Sequence, residues 1–165
     1  MQSTPPFHYH LVLLEPLIPP NTGNAGRLSV ATQRTLHLIE PLGFSIDDKA
    51  VRRAGLDYWK FVDLHVHSDF DAFLIWLKKN DPECPFYLIE DGPRSERLVY
   101  DVSLPRRAAF IFGKETTGIS AEIQDKYQDR LLKLPMFSKN IRSLNLANTI
   151  SIVLYEAIRQ NFKSD

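Results

Sequence analysis

The chain has 165 residues, 44% of them hydrophobic, and its 20 Lys and Arg balance 20 Asp and Glu. That length and apolar content suit one folded domain over residues 1–165 and argue against global disorder. No apolar run approaches the roughly 20 residues of a membrane span, the first ten residues lack a signal-peptide core, and the single cysteine, Cys84, excludes an internal disulfide and suits a reducing cytoplasm. Zero net charge counts against a uniformly basic nucleic-acid binder. Local basic clusters remain at Lys49, Arg52 and Arg53, at Arg106 and Arg107, and at Lys139 and Arg142.

In chain order, Leu11 to Leu14 reads as a strand, ended by Glu15-Pro16. Pro19-Pro20 predicts an extended turn, and Asn21-Thr22-Gly23-Asn24 continues it as turn chemistry. Ala25 to Arg34 reads as a short helix with Leu28 and Ala31 inward, and Leu36 to Ile39 as a second strand. Asp47 to Ala54 has two acids in its first turn and two arginines in its last, the charge order a helix dipole favours, and Gly55 closes it. Phe61 to Val66 is a third strand. Phe70 to Lys79 is an amphipathic helix with Phe73, Leu74 and Leu77 on one face. Phe86 to Ile89 and Ala108 to Phe112 are the fourth and fifth strands, with a polar loop, Glu90 to Glu96, between them. Ser120 to Tyr127 is a short helix, and Leu131 to Leu134 a last strand stopped by Pro135.

From Leu144 a helical period takes over through Ala147, Ile150, Leu154, Ala157 and Ile158, with Ser143 and Asn145 placed to cap its start. Val153, Leu154, Ala157 and Ile158 are expected to face the core. The alternation of strand and helix predicts an α/β domain, with a mostly parallel sheet and helices on both faces. Gly-rich phosphate signatures are absent. Three polar segments follow strand ends, Asn21 to Arg27, Phe112 to Gly118 and Ser138 to Asn145. In a parallel sheet they share one edge, where ligands bind. Each alone reads as a turn or cap; together they read as a site.

Those segments carry a resemblance. Asn24-x-x-Arg27, Phe112-Gly113-x-Glu115-x-x-Gly118, and Leu134-Pro135-Met136 followed by Arg142-Ser143-Leu144-Asn145-Leu146-x-Asn148 resemble the three motifs of the SPOUT methyltransferases. Glu15-Pro16, Ile18 to Asn24 and Arg53 to Tyr58 are similar to the branch that methylates the ribose 2′-oxygen of the tRNA wobble pyrimidine, position 34. The resemblance covers the chain after Tyr9. It implies S-adenosylmethionine as methyl donor, tRNA as partner, a C-terminal trefoil knot, and a homodimer. Another tRNA or ribosomal RNA position, or a non-catalytic RNA-binding dimer, are the alternative readings.

By the same resemblance Leu88, Gly113, Leu134 and Ser143 would bind the cofactor, with Leu144 also beside the adenine and Glu115 fixing the second loop or the ligand. Gly113 would let the ligand approach the backbone. Arg27 matches the family's motif arginine. Arginine side chains do not give up their proton in proteins, so stabilising a developing alkoxide or a phosphate suits this role better than acting as a base. Asn24, Arg142 and Tyr155 are candidate substrate contacts. Two departures stand out: Phe137 to Arg142 is one residue longer than in relatives, and Glu90-Asp91-Gly92 is acidic, which opposes phosphate contact there. Cys84, between Glu83 and Pro85, reads as structural. His65 and His67 share one side of a strand but have no third ligand nearby in sequence, so no metal is expected. Tyr58-Trp59 reads as packing beneath the preceding helix rather than as a base-stacking platform.

Overall fold

The computed structural model describes residues 6–46 and 57–162. Six parallel strands, β1 (His8–Leu14), β2 (Thr35–Ile39), β3 (Leu64–His67), β4 (Phe86–Ile89), β5 (Arg107–Phe112) and β6 (Leu131–Leu132), form one sheet in the order β3-β2-β1-β5-β4-β6. The helices are α1 (Pro19–Thr32), α2 (Phe70–Asn80), α3 (Ala121–Lys126) and α4 (Leu146–Asn161). β1 and β5 lie side by side in the middle, and all but their first residues are buried. Such near-continuous burial explains why these strands read as apolar runs instead of alternating.

Two hydrophobic layers flank the sheet. On one face Leu11, Leu13, Phe110 and Phe112 meet Ala25 of α1 and Ile150, Val153, Leu154 and Ala157 of α4. On the other, Val12, Leu88 and Ile111 meet Phe70, Phe73 and Leu77 of α2, with Ile123 of α3 packed against them. α4 has its expected inward face: Val153, Leu154 and Ala157 are fully buried, and Ile158 packs at the margin. Each buried branched side chain there contributes about 1.5–3 kcal/mol. The Tyr9 hydroxyl donates to Ala157 O (3.1 Å) and accepts from Asn161 Nδ2 (3.1 Å), so the end of α4 is fastened to the first strand.

Several boundaries differ from the sequence reading. β1 begins three residues earlier, at His8, and β6 keeps only Leu131 and Leu132. Pro19-Pro20 starts α1 instead of forming an extended turn. Proline needs no N–H partner in a first helical turn, and its φ is already helical. Asn21 to Arg27 is therefore helix, not loop. The earlier start also changes the buried face: Thr22, Ala25 and Ser29 point inward, whereas Ala31 is exposed. Residues Trp59–Phe61 form a 3₁₀ turn, and β3 starts only at Leu64. Trp59 packs against α1, where a Cβ on Gly26 would lie 2.5 Å from its ring. The expected helix Asp47 to Ala54, the turn at Gly55 and the Lys49, Arg52, Arg53 cluster lie outside the described residues. Cys84 is buried, and burial pushes its thiol up to about 12, which removes it as a nucleophile. No helix among the described residues is long and apolar enough to cross a membrane.

Candidate functional site

After β1 the chain turns toward the face that holds α1; after β5 it leads to α3 on the opposite face. The two connections part and leave a crevice outside the carboxyl ends of neighbouring strands, the place where open parallel sheets bind ligands. A cavity of about 680 Å³ occupies it. One wall is Ile18 and Asn21 at the start of α1. A second is Gly113 to Gly118 after β5, a third Ile89 to Pro93 after β4, and the fourth Arg142 to Leu146 at the start of α4.

One carboxylate joins two of these walls. Glu115 accepts from Leu17 N (2.8 Å), Ile18 N (3.1 Å) and Asn21 Nδ2 (3.1 Å). Ile18 offers α1 no side-chain cap, and a charge from 97 residues away stands at that helix N-terminus instead. The amide of Asn21 passes the connection on: its Oδ1 accepts from Asn145 Nδ2 (3.1 Å). Asn145 also caps α4, its Oδ1 accepting from Ala147 N (2.9 Å) and Asn148 N (3.3 Å). Asn145, not Ser143, makes this cap. A single chain of charge-assisted and amide bonds, Glu115–Asn21–Asn145, thus joins all three motif segments.

The loop after β5 is folded tightly on itself. A Cβ on Gly113 would lie 2.3 Å from the carbonyl carbon of Gly118. The close approach that requires glycine there comes from the protein's own backbone, a reason different from the ligand approach expected. Gly118 has φ +67°, and Glu90 Oε2 sits beside it, accepting from Ile119 N (2.7 Å). Asp91 Oδ1 accepts from Leu134 N (3.4 Å). Burial raises the pKa of both carboxyls, with those backbone bonds opposing. The acidic Glu90-Asp91 pair is therefore engaged in tying β4, β5 and β6 segments together. Lys114 pairs with Glu15 at 2.6 Å and fastens the same loop to the end of β1.

Of the expected cofactor residues, Gly113 and Ser143 line the cavity, and so does Arg142. Leu134 lies behind the wall, 3% exposed, reaching it through its N–H bond to Asp91. Leu88 is fully buried and faces α2; its neighbour Ile89, on the opposite face of β4, lines the cavity. Asn24 and Arg27 are exposed on α1 and do not line it. The Arg27 guanidinium stands 5.9 Å from the Tyr58 ring centre, and the Tyr58 hydroxyl donates to Gly23 O (2.7 Å). Tyr155 is 54% exposed on the outer face of α4, away from the cavity. Asn21 and Ile89 were missed. A helix beginning at Pro19 would have exposed Asn21 as a first-turn side chain, and strand alternation would have marked Ile89 as facing opposite Leu88.

Comparison with known proteins agrees with this geometry. The profile of the SpoU rRNA methylase family matches residues 8–155. A Geobacillus stearothermophilus protein, provisionally named a tRNA (cytidine(34)-2′-O)-methyltransferase, is 48% identical over 152 residues, covering 92% of this chain and 94% of its own. The Burkholderia cenocepacia tRNA (cytidine(34)-2′-O)-methyltransferase is 44% identical over 153 residues, covering 92% and 95%. A solved structure described for the 2-OH methylation of C/U34 on tRNA superposes with a TM-score of 0.83 at 39% identity, over 94% of this chain and 97% of that one. The chain belongs to the SpoU rRNA methylase family.

Proposed function

We propose that this protein is a tRNA 2′-O-methyltransferase that uses S-adenosylmethionine to methylate the ribose of the wobble pyrimidine at position 34. The observation that carries the reading is the cavity at the β1/β5 crevice, where the three motif segments are held together by Glu115, Asn21 and Asn145. The names of the Geobacillus and Burkholderia relatives supply the substrate.

The cavity fits the cofactor on its own terms. Its volume of about 680 Å³ lies within the usual range for small-ligand sites. Its lining combines apolar Ile18, Ile89 and Leu144 with the carboxyl groups of Glu90 and Asp91, acceptors suited to an adenosyl group carrying a cationic sulfonium. When bound, S-adenosylmethionine supplies a methyl already activated for in-line transfer. Gly113 and Ser143 would hold it together with the backbone beside Leu134, and Ile89 takes the flanking role expected of Leu88. The chain's work is then alignment. The Arg27 side chain steadies the 2′-oxygen as charge develops, or grips a neighbouring phosphate. Asn24, Arg142 and Tyr155 are the candidate RNA contacts.

Because Arg27 stands outside the lining of its own cavity, we read the working unit as a homodimer in which surfaces join. Ile152 and Tyr155 on the outer face of α4, with Phe137 and Ile141, supply exposed apolar area for it. Joined surfaces also gather positive charge that a neutral monomer spreads thinly. A trefoil knot in the C-terminal segment is part of the same reading. Its support is that Lys133 N–H donates to Arg97 O (3.0 Å) and Lys133 O accepts from Val99 N (2.9 Å), so the last strand runs beside the 97–99 segment before α4 doubles back. One domain, cytoplasmic, acting without a metal in methyl transfer, completes it.

The test is incubation of the purified protein with labelled S-adenosylmethionine and tRNA from cells lacking this modification, followed by nucleoside mapping. Label on the 2′-oxygen of nucleotide 34 is expected. Label at another tRNA or rRNA position moves the substrate, and cofactor binding without transfer to any RNA leaves a non-catalytic binder.

A further inference from the structure

All five histidines of the chain converge on one face of the sheet. His8 and His10 alternate on β1, His37 comes from β2, and His65 and His67 come from β3. Register brings them together, with Val12 opposite His37 and His37 opposite His65. Trp76 of α2 covers the group, its ring centre 4.7 Å from that of His37. His8 and His10 stand at the amino end of β1, on the rim opposite the cavity described above, and the group runs from there through His37 to His67, the last residue of β3. α2 runs back to that rim and delivers Asp81.

His8, His10 and Asp81 each offer one donor atom, and the three atoms lie within 4.8 Å of one another. They open into a second cavity, of about 420 Å³. Behind them runs a chain of imidazoles: His10 Nδ1 to His37 Nε2 at 2.9 Å, and His37 Nδ1 to His67 Nε2 at 3.0 Å. A neutral imidazole donates through one nitrogen only. The protons of this chain therefore all point toward Asp81 or all point away. Pointing away, His10 Nδ1 donates to His37, and a bare His10 Nε2 lone pair faces the Asp81 carboxylate at 3.3 Å. Pointing toward Asp81, the chain closes without an ion; pointing away, it presents two facing acceptors that a cation would hold together. We propose that His8, His10 and Asp81 form a binding site for a divalent transition-metal ion of the zinc class, held by two imidazole nitrogens and one carboxylate oxygen.

The surrounding groups fit that assignment. His37 and His67 act as the outer partners that fix a ligating histidine's tautomer and ring. Arg107 Nη1 holds Asp81 Oδ1 at 3.1 Å and leaves Oδ2 turned to His10. That positive charge disfavours hard ions that rely on net negative charge, and two imidazoles favour zinc, nickel or copper over magnesium. Three protein ligands leave one position open to the cavity. Asp63 and His65, 3.4 Å apart, lie across that cavity as a separate pair.

The probes are zinc and cobalt(II) chloride added to the metal-stripped full-length protein, read by calorimetry and by the visible bands of tetrahedral cobalt. One ion per chain is expected. His8 is exposed, so His8→Ala folds; it should weaken binding by at least the about 10- to 100-fold that outer-shell changes cost. Asp81→Asn should do the same, and His65→Ala should leave affinity unchanged. Absence of stoichiometric binding to the unaltered chain overturns the proposal, as does binding that survives His8→Ala or that depends on His65 alone.

Discussion

The two rims of this sheet are built on opposite plans. At the carboxyl rim, side chains hold loop backbones: Glu115 grips two N–H groups before α1, Glu90 one before α3, and Asn145 two at the start of α4. Side chains spent this way fix walls and leave the space between them free. From the amino rim inward, strand side chains bond mainly to one another, His10 to His37 to His67 at the end of β3, and the site is a by-product of register. Loops make a pocket whose shape can change without disturbing the sheet. Registered strands make a cluster that cannot move unless the sheet does.

The contrast can be broken most severely at Gly113. Gly113→Ala forces its Cβ to within 2.3 Å of backbone and should destabilise by about 3 kcal/mol, with S-adenosylmethionine binding lost in calorimetry. Trp76 fluorescence, which reports on the amino rim, should stay unchanged under native conditions. Next comes a change that spares both rims. Arg27→Ala should cut methyl transfer about 100-fold, as loss of one transition-state donor does. Its melting temperature should not move, because Arg27 is exposed; unchanged transfer would remove Arg27 from the mechanism.

Smaller effects sharpen the picture of the carboxyl rim. Glu115→Ala removes three hydrogen bonds to a carboxylate and should cost about 2 kcal/mol in denaturant unfolding. Asn145→Ala should cost about 1 kcal/mol as a lost cap, and should also weaken cofactor binding through Asn21. Glu90→Gln should leave stability at pH 7 within about 0.5 kcal/mol. The sign follows from burial. A carboxyl whose folded pKa is raised adds stability below its unfolded pKa and loses it as pH rises through the folded value, so a neutral amide gives up little at pH 7. Cofactor affinity should nevertheless fall if the charge faces the sulfonium, and titration calorimetry separates the two.

Much of the fold was legible because local signals agreed. Phe86 to Ile89 and the helix from Phe70 were read within one residue from their apolar pattern, and the structure adds an N-cap at Asp69 that agrees with it. The start of α1 was not, because a proline pair is equally at home in a turn and at a helix N-terminus. The site divides similarly. Gly113, Arg142 and Ser143 carry motif spacing that brings them to the cavity, whereas Ile89 is marked only by which face of β4 it occupies. The Glu115–Asn21 bond spans 94 residues and leaves no local trace. Nor do the histidines: only strand order makes neighbours of positions 10, 37 and 67.

Asn145 Nδ2 reaches Asn21 across 124 positions of sequence. A ribosome must therefore pass residue 145 before the clasp can close, although the sheet's first half is synthesised long before. Fragments that stop short of residue 145 lack both the clasp and the fourth wall. Retention on immobilised cofactor would thus sort finished molecules from aborted ones.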